Sequence, residues 1–258
     1  MGALLVIEAA FMLIPTLVSW LYGEDDFIVF GMTSGITMLT GLIAMLATRK
    51  AENHVTEREG YLIVALVWLV FSLFGMLPYY LTGVTDNITD AFFETMSGFT
   101  TTGATIFLDV ESLPHGILLW RAITQWLGGM GIIVLSVAIL PLFGLGGMQL
   151  YAAEVTGVSY EKLSPRIADT AKRMWGIYML LTAVEALLLW AFGMDIFDSV
   201  CHSLTTIATG GFSTKNLSLM EYSPAIQYIV AVFMLLSGIN FGLLIYFLMF
   251  KPSKQIGR

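Results

Sequence analysis

Apolar residues fall into six long runs separated by polar breaks, at roughly residues 3–21, 27–47, 61–81, 117–142, 174–192 and 225–250. Each is long enough to cross a ~30 Å hydrocarbon core at ~1.5 Å of rise per helical residue, so the pattern predicts six transmembrane helices. The fourth and sixth runs exceed a straight crossing, which implies tilt or extension past the bilayer. Pro15 and Pro78 lie inside or near the end of spans, where proline kinks a helix or closes it. Two shorter segments interrupt the scheme. Residues 90–107 and 197–213 sit between apolar runs, and each reads as a short helix ending in small residues and glycine. In the first, Phe92, Phe93, Met96 and Phe99 form an apolar surface, and Asp90 acts as N-cap or first-turn acid.

Charge sets the orientation. Lysine and arginine cluster at Arg49, Lys50 and Arg58, at Lys162, Arg166, Lys172 and Arg173, and at Lys251, Lys254 and Arg258. The positive-inside rule makes these segments cytoplasmic, and six crossings then place both termini inside. Of the bases, only Arg121 and Lys215 fall on the outer side. The outer segments are acidic instead, and carboxylates such as Asp86, Asp109 and Glu111 either concentrate cations at a pore mouth or simply solvate loops. With this parity, residues 90–107 and 197–213 begin and end outside, so each is re-entrant if it enters the membrane. Irregular backbone at that depth survives only where protein or a water-filled cavity satisfies its polar groups.

The two short segments are copies of one plan. Aligning them brings Asp90 opposite Asp198, Glu94 opposite His202, and Gly103 opposite Gly210 with a one-residue offset. Each is preceded by an outward helix and followed by an inward one. The expected fold is therefore an all-α integral membrane protein of six transmembrane helices with two re-entrant pore loops. It is organised as a leading helical pair plus two parallel helix–pore loop–helix repeats. The predicted divisions are residues 1–59 for the leading pair and its cytoplasmic loop, 60–143 for the first repeat, 144–172 for a cytoplasmic connection, and 173–258 for the second repeat and tail. A helix whose C-terminal end points toward the membrane centre favours a dehydrated cation there. The Thr100–Gly103 run can then present successive carbonyls on one side of an extended strand, as an ion-selectivity filter does.

Composition agrees with a membrane location. Apolar residues make up 57% of the chain, charged residues 12%, and the mean hydropathy is +0.81, which excludes an ordinary soluble domain. One cysteine, Cys201, excludes an internal disulfide framework and leaves no zinc-type spacing. No catalytic constellation is present, so the chain is not expected to be an enzyme. Gly144, Gly146 and Gly147 follow an apolar helix with no preceding strand, unlike a dinucleotide fingerprint. Glu8 and Glu185 lie within spans, where an ionised side chain is expensive. Glu185 either serves function or snorkels and hydrogen-bonds near the outer end. Gly128, Gly129, Gly131, Ser237, Gly238 and Gly242 permit close helix approach or a hinge, and Asn240 is a candidate for a cavity below the filter. The tryptophans Trp20, Trp68, Trp120, Trp126, Trp175 and Trp190 mostly suit an aromatic belt.

The residues also carry a family resemblance. Asp90-Ala91-Phe92-Phe93-Glu94, Ser97 through Thr105, Gln125-Trp126-Leu127-Gly128-Gly129-Met130-Gly131-Ile132-Ile133-Val134, Gly146-Gly147-Met148-Gln149-Leu150 and Ile207 through Ser213 resemble the TrkH-type potassium-uptake proteins of the Trk/Ktr/HKT superfamily. The similarity covers essentially the whole chain. It implies a multi-pass protein of the bacterial inner membrane that passes potassium ions, with no cofactor and potassium as the transported ligand. In that family four pore units surround one filter, and a cytoplasmic nucleotide-binding ring gates the pore. Carried over by position, Thr101, Thr102 and Gly103 would line the filter from the first unit and Ala208, Thr209 and Gly210 from the second. Glycine in both units resembles the potassium-preferring members. The third and fourth units, with the family's gate, do not appear before Arg258. The chain is thus expected to be the N-terminal half of a longer or split protein, or a subunit whose homodimer closes a pore; a non-conducting or regulatory half-subunit is the alternative. Expected partners are membrane lipid, the missing C-terminal pore half or a second copy, and the gating ring; Lys162, Arg166, Lys172 and Arg173 either dock an acidic cytoplasmic partner or simply mark the inner leaflet. Nucleic acid is not among the expected partners.

Overall fold

A computed structural model describes residues 1–49, 57–139 and 164–239. The Gly146–Leu150 motif, Gly144, Lys50, Lys162, Asn240, Gly242 and the Lys251, Lys254 and Arg258 cluster lie outside these residues. Among the described residues all regular structure is helical: α1 (Gly2–Tyr22), α2 (Asp26–Ala47), α3 (Glu57–Gly75), α4 (Leu77–Leu81), α5 (Ile88–Phe99), α6 (His115–Ile139), α7 (Ser164–Ala191), α8 (Ile196–Ile207) and α9 (Pro224–Gly238). Among the described residues, three stretches are long and apolar enough to cross a membrane: Gly2–Tyr22, Asp26–Ala47 and Ala171–Ala191. The apolar stretches Ala65–Leu81 and Pro224–Gly238 are shorter.

Local chemistry explains the breaks. The third apolar run divides at Met76, and Pro78 stands in the first turn of α4, where its missing N–H leaves no helical bond unmade. The α1–α2 hairpin turns at Gly23, whose φ of 72° suits glycine. Its helices are pinned by Ser34 Oγ, which donates to the Ala9 carbonyl at 2.8 Å.

The core is built around α6. Ile117, Trp120, Ile123 and Trp126 of this helix pack with Met12 of α1, Phe30 of α2, Phe99 of α5, Tyr178 of α7, and Cys201 and Ile207 of α8. Trp120 and Trp126 are therefore core residues and not part of an aromatic belt. Trp120 Nε1 donates to the Gly75 carbonyl at 2.9 Å, and Trp126 Nε1 to Thr182 Oγ1 at 3.2 Å, so each buried indole is satisfied. Trp20 and Trp190 are exposed, as lipid- or interface-facing rings would be. Glu8 and Glu185 are fully buried, so Glu185 does not snorkel to a surface.

The start of α6 is fixed from the leading hairpin. Glu24 accepts the His115 backbone N–H at 2.9 Å and lies 2.7 Å from His115 Nδ1, capping the helix. Tyr22 stacks on the same imidazole at 3.9 Å, and Phe197 of α8 meets it edge-on at 4.8 Å. One histidine thereby joins α1, α6 and α8.

Candidate functional site

Two short helices, α5 and α8, carry the candidate site, and they are built alike to the residue. Each has 12 residues. Each is capped by a side chain that accepts the N–H two positions on at 2.9 Å: Asn87 from Thr89, and Asp195 from Phe197. Asp90 and Asp198 follow in the first turns, so Asp90 is the first-turn acid and Asn87 the cap.

The helices also end alike. Thr101 N–H bonds to the Gly98 carbonyl and Thr102 N–H to that of Ser97, each at 2.9 Å; Thr209 bonds to Thr206 and Gly210 to Thr205 at the same distance. Thr101 and Thr209 both take a φ of 54°, a strained conformation for a β-branched residue, and Gly103 and Gly211 follow at 75° and 85°. The backbone therefore pairs Thr101 with Thr209, Thr102 with Gly210 and Gly103 with Gly211. The one-residue offset of the sequence alignment disappears. Side chains keep the same register: Glu94 Oε1 accepts from Thr105 Oγ1 at 2.9 Å, and at the matching positions His202 Nε2 lies 3.1 Å from Ser213 Oγ.

The structure brings the two segments together. A Cβ built on Gly103 would overlap the carbonyl oxygen of Gly210. Thr101 and Gly103 are half-buried and Thr102 exposed; Ala208 and Gly210 are buried and Thr209 exposed. Helix α6 is wedged behind both segments. Gln125 Oε1 accepts the Phe212 N–H at 3.1 Å, and its amide fills the space a side chain at Gly210 would need. One turn deeper, Gly128 presses on the Phe99 carbonyl at the end of α5, and a Cβ on Gly129 would lie 3.0 Å from Ala208 Cα. Gly128 and Gly129 thus fit against the backbone of these segments where larger residues would not.

Polar ties surround the two segments. Glu94 and Arg121 are buried and joined at 2.8 Å, and Arg121 also reaches Thr105 and the Ser213 carbonyl. Asp198 accepts from Thr214 Oγ1 and Tyr222 OH, each at 2.7 Å, with Lys215 Nζ at 3.7 Å. Asn216 links the stretches that follow α5 and α8: its Oδ1 accepts the Val110 N–H at 2.7 Å, its Nδ2 donates to Asp109 at 2.8 Å, and its N–H donates to Glu111 at 2.9 Å. The Asn216 amide holds the exposed Asp109 carboxyl below the usual aspartate range.

Sequence reasoning gave Arg121 only a place on the outer side and Asn216 no functional role. The signal for Arg121 was an isolated charge inside an apolar run, which by itself raises a functional hypothesis. Among the described residues no group of three or more His, Cys, Asp or Glu side chains is placed to hold a metal ion. A dehydrated cation would instead meet backbone and threonine oxygens at the negative ends of two helix dipoles.

Comparison with known proteins accords with this geometry. The family of cation transport proteins named TrkH matches residues 29–257. The Trk system potassium uptake protein TrkH of Escherichia coli K12 is 48% identical over 245 residues, which cover 94% of this chain and 51% of that protein. Its Vibrio parahaemolyticus counterpart is 45% identical over 248 residues, covering 94% and 50%. The crystal structure of the potassium transporter TrkH from Vibrio parahaemolyticus superposes with a TM-score of 0.83 at 42% identity, covering 95% of this chain and 49% of that one. The chain thus spans about half the length of the curated relatives it matches. With the family matched over most of its residues, the chain belongs to the TrkH family of cation transport proteins.

Proposed function

We propose that this chain supplies two of the four pore repeats of a carbonyl-lined potassium filter in the bacterial inner membrane, and that the assembly takes up potassium ions. The observation that carries this reading is the contact of two equivalent segments, each left-handed at its threonine and glycine, at Gly103 and Gly210. Segments that merely closed loops would have no reason to repeat a strained threonine and then abut. The relatives' names supply the ion. Thr101, Thr102 and Gly103 would contribute oxygens from the first repeat and Ala208, Thr209 and Gly210 from the second, with Gly211 added as the counterpart of Gly103. Residues 90–107 and 197–213 would be re-entrant between six crossings, with both termini cytoplasmic. The divisions at 1–59, 60–143, 144–172 and 173–258 follow.

Two segments cannot surround a dehydrated ion. Their open side would leave backbone polar groups facing lipid, each costing several kcal/mol, so further segments must cover them. We assign that role to a pore half corresponding to the part of the relatives this chain does not match, with a cytoplasmic nucleotide-binding ring as the gating partner. Coverage of only half the relatives also supports a second reading, a regulatory half-subunit that does not conduct. Purification in detergent, mass measurement and reconstituted flux test the first reading. The monomeric chain is expected not to conduct potassium selectively, and adding the other half is expected to restore selective flux. Selective conduction by a demonstrated monomer overturns the proposal; conduction by a dimer alone replaces the missing half with a second copy.

A further inference from the structure

Arg121 makes more contacts than charge neutralisation requires. It lies in the second turn of α6 and is 2% exposed, while Glu94 is 0% exposed. Its Nε donates to Glu94 Oε1 at 2.8 Å, which already pairs the charge. Nη2 donates to Thr105 Oγ1 and Nη1 to the Ser213 carbonyl, each at 3.1 Å. The guanidinium also covers the Phe212 ring at 4.2 Å and lies 5.7 Å from that of Phe107. Thr105 and Ser213 occupy equivalent places, two residues beyond Gly103 and Gly211. One rigid fork therefore joins matching points of the two segments, and Glu94 extends the tie by accepting the Ile106 N–H at 2.9 Å.

We propose that Arg121 is a positioning residue that fixes the spacing between the two filter segments and, through it, the discrimination between potassium and sodium. The inference rests on the filter reading above. A buried ion pair contributes little net stability compared with apolar packing, whereas its geometry is directional. Lysine would keep the charge beside Glu94, but as a compact point charge it cannot reproduce a planar fork bonded to three groups. Among the described contacts the second repeat has no guanidinium of its own here; His202 bonds only within that repeat.

The test has two arms. In the conducting assembly that contains this chain, Arg121→Lys is expected to lower the potassium-over-sodium permeability ratio about tenfold, the effect of losing a charged hydrogen bond. In the purified chain, hydrogen exchange of peptides over residues 100–107 and 209–216 should quicken together. Thr105→Val, which keeps the side-chain volume, should quicken the first peptide and lower the ratio about threefold through one lost bond. It serves as the deciding variant if Arg121→Lys does not fold. Unchanged selectivity with unchanged exchange in a folded variant overturns the inference, as does loss of yield with full selectivity in the surviving protein. A wild-type assembly that fails to discriminate the two ions overturns the filter reading instead, and the exchange arm still decides whether Arg121 couples the segments.

Discussion

Gly103 and Gly210 approach so closely that a methyl carbon on Gly103 would overlap the Gly210 carbonyl oxygen, and Gly103 holds a φ of 75°. Both facts exclude a side chain at Gly103, since the obstacle is backbone and the conformation costs on the order of 1–3 kcal/mol for other residues. Gly103→Ser is therefore expected to displace the Gly210 carbonyl and weaken potassium-over-sodium selection in the conducting assembly. Isotope uptake with competing ions measures it. Gly211→Ala shares the strain but meets open space, so its effect should be smaller.

The packing of α6 on the end of α5 gives a stability prediction. A Cβ at Gly128 would overlap the Phe99 carbonyl oxygen and lie 2.7 Å from its carbon, so Gly128→Ala should destabilise the chain by about 1–3 kcal/mol through overpacking. Gly176 in α7 meets nothing within 4 Å, and Gly176→Ala should stabilise by up to about 1 kcal/mol through helix propensity. Thermal unfolding in detergent should separate the two in opposite directions.

The Asn216 bridge should be sensitive to acid. Its amide keeps Asp109 ionised below the usual aspartate range, so this tie stabilises the fold above the unfolded aspartate value. That contribution is lost as pH falls through the depressed folded value. Asn216→Ala is expected to lower thermal stability at neutral pH, with a deficit that shrinks below about pH 4. A deficit independent of pH would mean that the Val110 bond carries the whole effect, since the backbone N–H that donates to Glu111 survives the substitution.

The loop carboxylates divide into structural and exposed groups. Asp109 and Glu111 hold Asn216, so neutralising them would confound flux with folding, whereas Asp25 and Asp86 are exposed. Asp25→Asn with Asp86→Asn should reduce cation flux mainly at low ionic strength, because the Debye length is only about 8 Å at physiological salt. Flux measured across a salt series would show an equal loss throughout if focusing plays no part.

Much of the fold was legible because apolar length and small-residue punctuation are local. The runs at 3–21 and 27–47 became α1 and α2 nearly to the residue, and Pro78 marked the break that separates α4 from α3. The two short threonine–glycine segments were also visible as a repeat. Their register was not, because Gly210 and Gly211 are adjacent and either can be matched to Gly103 by letters alone. Backbone φ angles and the Glu94 and His202 bonds choose between them.

By itself, the sequence determined a helical, membrane-type chain with a duplicated threonine–glycine motif, since hydropathy and glycine placement act over a few residues at a time. Tertiary structure alone decided which groups meet across long separations. It buried Arg121 against Glu94 and Ser213, set Gln125 behind Gly210, drew Asn216 to Asp109, and took Trp120 and Trp126 into the core. A charge in an apolar run has the same letter whether it faces lipid, water or a buried partner. The difference is made by desolvation, which depends on what the rest of the chain places around it.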